Sequence, residues 1–376
     1  MSWQIPLSDI DFDETEVGAV QEVLRSRWLT MGRVTQEFES SFAAYTGAKH
    51  AIAVTNATAA LHLACLALGL GPGDEVIVPS LTFVATANAV RYVGATPVFA
   101  DITSHDHLNI SAEAVQAAIT PQTRAIIVVH YAGFPCDMAT ILSVAKEHGL
   151  YVIEDAAHAV GSELEGRHLG TWGEIGCFSF FSNKNMTTGE GGMMTTDNDA
   201  LAQKLNRLRS HGMTSLTWDR HKGHAWSYDV VDLGYNYRID EIRAAIGLVQ
   251  LGKVDRNNER RRELSQLYRD ALQEIVPQVE VPFQHYAGRT AAHIMPILLP
   301  QGTNREEFMG CMKEQGIQTS IHYPPIHTFT SYRDGTQWQL PLTEEVASRE
   351  VTLPLYPMLT DEQILTVAKA VHQALS

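Results

Sequence analysis

Two residues stand 29 positions apart in a pattern suited to covalent chemistry at an aldehyde: Asp155, in Glu154-Asp-Ala-Ala-His158, and Lys184, in Ser182-Asn-Lys-Asn-Met186. Asp155 closes the apolar run Tyr151-Val-Ile-Glu-Asp155, which reads as a buried strand. A carboxylate at such an end is ordinarily a helix cap or a loop acid. It can also hold a cationic ring nitrogen, and a pyridine ring kept protonated is an electron sink. His158 follows three residues on, placed to contact such a ring or its phenolic oxygen, though a lone histidine is more often structural. Lys184 directly follows the apolar run Gly176–Phe181 and precedes Gly189-Glu-Gly-Gly192, a turn suited to close approach of the backbone to a ligand. Most lysines are solvated surface. A partly desolvated one has a depressed pKa, forms an imine with an aldehyde, and shuttles a proton between carbon atoms as base and acid.

An anionic group on the same ligand needs a helix N-terminus. Asn56-Ala-Thr-Ala-Ala60, between a strand and an Ala/Leu-rich helix, offers backbone N–H groups at Thr58 and Ala59 and the Thr58 hydroxyl. Ser179 adds a second hydroxyl. Phe83, just after the strand Glu75–Pro79, can stack on a flat ring or pack in the core.

These residues need a scaffold that gathers strand ends. From residue 50 onward, short apolar runs (51–55, 75–79, 97–101, 124–130, 151–155, 176–181, 193–196) alternate with helical patterns (57–68, 83–92, 111–119, 138–148). Continuous apolar strands alternating with helices predict an α/β fold with a mostly parallel central sheet covered on both faces. Ligands in such folds gather at the carboxyl ends of the strands. One long helical stretch, 239–274, leads into shorter elements, with strands predicted at 293–299 and 319–323. With 376 residues, the chain exceeds one ordinary hydrophobic core. The expected division is a large domain over residues 1–250 and a smaller α/β domain over 251–376.

Composition narrows the partners. Net charge is −15, which argues against nucleic acid or an anionic membrane as the main ligand, since both are bound through basic patches. No apolar run approaches the roughly 20 residues needed to span a bilayer. No basic, apolar leader opens the chain, so a cytoplasmic, reducing location is expected. Cys65, Cys136, Cys177 and Cys311 show no metal-binding spacing, lie in apolar stretches and are expected to be buried free thiols; no metal site is expected.

Taken together and in this order, the motifs resemble those of the nucleotide-sugar aminotransferases of the DegT/StrS type, which use pyridoxal phosphate and share the fold of aspartate aminotransferase (fold type I). The resemblance spans nearly the whole chain, through Trp28-Leu-Thr-Met-Gly32, Gly73–Ser80, Val129-His-Tyr-Ala-Gly133, the Asp155 and Lys184 segments, Gly234-Tyr-Asn-Tyr-Arg238 and His322-Tyr-Pro-Pro-Ile-His327. It implies that Lys184 is the Schiff-base lysine, that Asp155 holds the pyridine nitrogen, and that His158 lies near the cofactor oxygen. It implies that Phe83 stacks on the ring and that Thr58, Ala59 and Ser179 bind the phosphate. Asn236 matches a residue that reaches the phosphate of a second subunit, so a homodimer with shared sites is implied, with Arg238 supporting that loop. Trp28, Thr30, Gly32, His322, Tyr323 and His327 would face the sugar nucleotide. The implied reaction moves an amino group from an amino acid, L-glutamate, to a nucleotide-linked keto-sugar in amino-sugar biosynthesis. His158 points to a 4-keto-6-deoxy sugar aminated at C4; the alternatives are amination at C3, sugar dehydration dependent on pyridoxal phosphate, or a non-catalytic regulator of the same fold that binds pyridoxal phosphate or a sugar. Sugar dehydratases of this fold carry histidine in place of the lysine, and here the residue is Lys184.

Overall fold

In the computed structural model of this chain, residues 3–214, 227–333 and 335–376 are described. Seven strands form the central sheet: β1 (His50–Val54), β2 (Glu75–Pro79), β3 (Thr96–Ala100), β4 (Thr123–Val129), β5 (Tyr151–Asp155), β8 (Ile175–Ser179) and β9 (Gly192–Thr196). A small hairpin, β6 (Glu163–Leu164) and β7 (Arg167–His168), lies between β5 and β8 in the chain. The order across the sheet is β1-β9-β8-β5-β4-β2-β3. β8, β5, β4, β2 and β3 are parallel neighbours, whereas β9 is antiparallel to both β8 and β1. The two reversals cancel, so β1 also runs with the parallel set. The carboxyl ends of β1, β2, β4, β5 and β8 therefore share one edge, where the amino end of β9 meets them.

Alternation along the strands explains why both faces are covered. Val76, Val78, Ile127, Ile153 and Cys177 point into one core, and Ile77, Ile126, Val128, Val152 and Phe178 into the other. Helices α3 (Ala57–Ala67), α4 (Ala85–Tyr92) and α7 (Asp199–Leu208) seal the first face. The second is sealed by α2 (Arg33–Thr46), α5 (Ala112–Ala117), α6 (Met138–His148) and α8 (Glu241–Leu251). Helix α1 (Glu14–Ser26) lies against α8. The expected mixed α/β fold with a mostly parallel sheet is the fold observed.

The expected unbroken helix over 239–274 is two helices, α8 and α9 (Val254–Ile275), parted at Gly252 and Lys253. Glycine is a poor helix former, and the Lys253 amine is drawn off to the carboxylates of Asp13 (3.0 Å) and Glu16 (2.7 Å). Helix α9 begins with Val254 in the sheet's core and continues with Leu264, Tyr268 and Leu272 in a separate one. That second core is closed by β10 (Met295–Leu298), α10 (Arg305–Glu314), β11 (Glu350–Leu353) and α12 (Asp361–Ala374), and Ile5 also joins it. Helix α11 (Pro341–Arg349) leads into β11.

A strand predicted over 319–323 does not form; the segment pairs at one bridge, Ser320 to Thr352. The His322 N–H goes instead to the Glu350 carboxylate (2.7 Å), and Pro324 and Pro325 have no N–H to continue a ladder. Cys65, Cys136 and Cys177 are buried, but Cys311, on the outer face of α10, is exposed.

Candidate active site

The shared edge of strand ends opens onto a cavity of about 480 Å³. Each wall comes from a chain segment leaving a strand: Asn56 to Thr58 after β1, Thr82 and Phe83 after β2, Val129 from β4, Asp155 to His158 from β5, and Ser179 to Lys184 from β8. His322 and Tyr323 close it from the second region.

Asp155 is buried, and each carboxylate oxygen is held: Oδ2 accepts from the Thr86 hydroxyl (2.8 Å) and Oδ1 from the Ala157 N–H (3.2 Å). Burial raises its pKa, while Thr86, Ala157 and the Lys184 charge oppose the rise. A carboxylate so placed favours a cationic partner, because a lone buried charge is costly. Lys184 lines the same cavity, and burial draws its amine down from 10.5 to about 8 against the pull of Asp155. About a tenth of such an amine carries a free lone pair at pH 7, far more than for a solvated lysine at 10.5.

The protonation of His158 follows from its partners. Its Nδ1 accepts the Ala132 N–H (3.2 Å), so in the neutral ring Nε2 carries the hydrogen and donates it to the Tyr323 hydroxyl oxygen (3.1 Å). Burial holds this imidazole well below its usual range, so neutral is the resting form. The Tyr323 hydroxyl is thereby left to donate its own hydrogen; burial pushes the phenol far up, so it donates without ionising. His322 is drawn down to about 4 by burial, and its Nδ1 lies 2.8 Å from the Thr352 hydroxyl. The Tyr131 hydroxyl donates to the His322 carbonyl oxygen.

Helix α3 starts at the cavity. Asn56 caps it by accepting the Ala59 N–H at Oδ1 (2.8 Å), so that amide, expected to be free for a ligand, is taken by the cap. Ala57 and Thr58 remain in the cavity wall, where the positive end of the helix faces in. Phe83 is 57% exposed, which excludes core packing; its ring lies 5.9 Å from that of Tyr323 at the cavity wall.

Of the residues picked out in the sequence, Thr58, Phe83, Asp155, His158, Ser179, Lys184, His322 and Tyr323 meet around this cavity. The others do not meet there within one chain. Asn236 is exposed on a segment paired with Ser210, and Arg238 donates to the Ser210 hydroxyl (3.0 Å). Trp28, Thr30 and Gly32 precede α2, and Glu241 ties this segment down by accepting the Gly32 N–H (2.8 Å). His327 bonds Ser80 (2.7 Å) and Glu344 (3.2 Å) and lines a separate cavity with Arg305 and Trp338. The sequence reading missed Thr86, whose only signal is a polar residue on the inward face of an alanine-rich helix turn. It also missed Asn185 and His293, which carry no sequence signal.

These residues fit pyridoxal phosphate: a buried carboxylate asking for a cation, an amine with a lowered pKa, and a helix N-terminus and hydroxyl for a dianion, around one cavity. The sequence profile of the DegT/DnrJ/EryC1/StrS aminotransferase family matches residues 10–372. The spore coat polysaccharide biosynthesis protein SpsC of Bacillus subtilis (strain 168) is 43% identical over 365 residues, covering 95% of this chain and 93% of its own. Helicobacter pylori PseC, an aminotransferase involved in the biosynthesis of pseudoaminic acid, superposes with a TM-score of 0.92 at 30% identity, covering 99% of each chain. The PLP form of the putative sugar aminotransferase Spr1654 from Streptococcus pneumoniae superposes with a TM-score of 0.91 at 30% identity, covering 99% of this chain and 98% of its own.

Proposed function

This chain belongs to the DegT/DnrJ/EryC1/StrS aminotransferase family, and we propose that it moves the amino group of L-glutamate to C4 of a nucleotide-linked 4-keto-6-deoxy sugar, with Lys184 and Asp155 at the reacting centre. It is a sugar aminotransferase dependent on pyridoxal phosphate. When bound, the cofactor supplies an aldehyde carbon and a protonated ring that draws electrons from the carbon undergoing proton transfer. Asp155 is the residue to keep that ring nitrogen charged. The Ala57–Thr58 end of α3 and the Ser179 hydroxyl hold the phosphate, with Asn236 of a second copy completing the set. Phe83 covers the ring.

Lys184 holds and moves the proton at Nζ, first taking one from the α-carbon of the amino donor and later delivering one to the acceptor carbon. His158 keeps the Tyr323 hydroxyl oriented as a donor toward the substrate side of the cavity. His322 and Tyr323 face the sugar.

One observation carries this reading: the Lys184 amine, drawn down to about 8, shares a cavity with a buried carboxylate that makes no salt bridge among the described residues. The test is a panel of 3-keto and 4-keto sugar nucleotides incubated with glutamate, with products identified by mass and NMR. Amination at C4 of a 4-keto-6-deoxy sugar is expected. Exclusive amination at C3, or loss of water from the sugar without gain of nitrogen, would overturn the assignment.

A further inference from the structure

Lys184 stands at the apex of a loop closed at its base by Thr188 N–H to Phe180 O (2.9 Å) and Phe180 N–H to Gly191 O (2.9 Å). Among the described residues, the only side-chain hydrogen bonds from residues 181–186 to anything beyond this loop are those of Asn185. Its Nδ2 donates to Asn258 Oδ1 (2.6 Å) and to Ala291 O (2.8 Å), and its Oδ1 lies 2.7 Å from Nδ1 of His293. All three side chains of this network, Asn185, Asn258 and His293, are buried.

Backbone carbonyls at its ends fix every hydrogen. Asn258 Nδ2 donates to Val160 O (2.8 Å), so Asn258 Oδ1 is the acceptor that faces Asn185. Asn185 spends its amide hydrogens on Asn258 and Ala291, so its oxygen faces His293. An amide oxygen only accepts, and His293 must therefore carry its hydrogen on Nδ1. The same imidazole packs on that of His158, with ring centroids 4.3 Å apart. Its backbone N–H donates to Ala132 O (2.9 Å), and the Ala132 N–H is the one that fixes the His158 tautomer.

The geometry points to Asn185 and His293 as positioning residues: a hydrogen-bonded clasp that holds the Lys184 loop and His158 in one register, so that amine and imidazole face the ligand together. The clasp touches neither cofactor nor substrate and acts through its neighbours. It rests on Lys184 being the residue that binds the cofactor aldehyde. Displacing a reacting group by about 1 Å costs on the order of 10²-fold in rate, which is the loss expected when the clasp is broken.

The test separates the N–H donor from the ring. His293→Phe keeps a ring against His158 and removes the donor; His293→Asn removes the ring and places an amide N–H where Nδ1 stood. The first readout is the rate at which apoprotein captures pyridoxal phosphate covalently, measured well below the unfolding temperature, with the borohydride-fixed adduct mapped. Parent apoprotein should capture at Lys184. Capture in His293→Phe should slow about 10²-fold, kcat should fall with KM for the sugar unchanged, and His293→Asn should recover to within about fivefold of parent. If His293→Phe does not fold, Asn185→Ala breaks the same bond from the other end and must show the same slowing. Capture by the donor-less variant within about threefold of parent, or a His293→Asn variant as slow as His293→Phe, overturns the clasp while leaving the Lys184 assignment standing. A parent adduct on another lysine overturns both.

Discussion

Protonation of Lys184 and Asp155 is linked, since burial disfavours the charged form of each and each charge favours the other. The Lys184 amine, held at about 8 rather than 10.5, is mostly protonated below pH 8 and mostly neutral above it. Only the neutral form attacks an aldehyde. Capture of pyridoxal phosphate by apoprotein should therefore speed up as pH rises through about 8 and level off above; a midpoint near 10.5 would mean a solvated lysine. Asp155→Asn removes the carboxylate that favours the protonated amine, so the midpoint should move down. The same variant should fold yet lose turnover by at least about 100-fold, because a neutral amide cannot keep the ring nitrogen charged. A loss of only a few-fold in steady-state assays would make Asp155 a structural acid.

At the scale of elements, the site depends on how closely α3 meets β9. A Cβ on Gly192 would lie 2.6 Å from the backbone carbon of Asn56 and 2.8 Å from the nitrogen of Ala57, so no side chain fits without pushing the helix start away. Gly192→Ala should cost about 1–3 kcal/mol of stability and, more tellingly, reduce the preference for pyridoxal phosphate over unphosphorylated pyridoxal in equilibrium binding. An unchanged preference would place the phosphate elsewhere. The strands of the sheet and the Asn56 cap were legible in the sequence because buried parallel strands are continuous apolar runs and caps are local. The segment 319–323 was misread because Thr-Ser-Ile-His-Tyr is strand-like locally, while its fate is set by Glu350 and two prolines. The break at Gly252 was legible in principle; the Lys253 partners that confirm it come from α1, far away in the chain. Thr86, Asn185 and His293 stayed hidden because each acts through a contact that only the folded chain makes.

For the whole molecule, the testable point is whether a second copy completes the site. Asn236 adjoins a stretch where Tyr228, Val230, Val231 and Leu233 are exposed, the last by 85%, and such an apolar surface favours burial against another chain. A closed twofold pair would let each copy complete its partner's phosphate site. Mixing Lys184→Ala chains with Asn236→Asp chains, each expected to be inactive alone, tests this. Shared sites give heterodimers one site with both defects and one with neither, so activity should return. No recovery in a mixture shown to have exchanged subunits would mean each chain is self-sufficient.

The most direct test of the central claim is to find where the cofactor is attached. Borohydride reduction of the yellow holoprotein, followed by peptide mapping, is expected to fix the pyridoxyl group on Lys184 and to bleach the visible band. Lys184→Ala protein, folded as judged by its melt, should give no adduct and no turnover. A pyridoxyl group on Lys146 or Lys204, or normal turnover in the Lys184→Ala protein, would contradict the account.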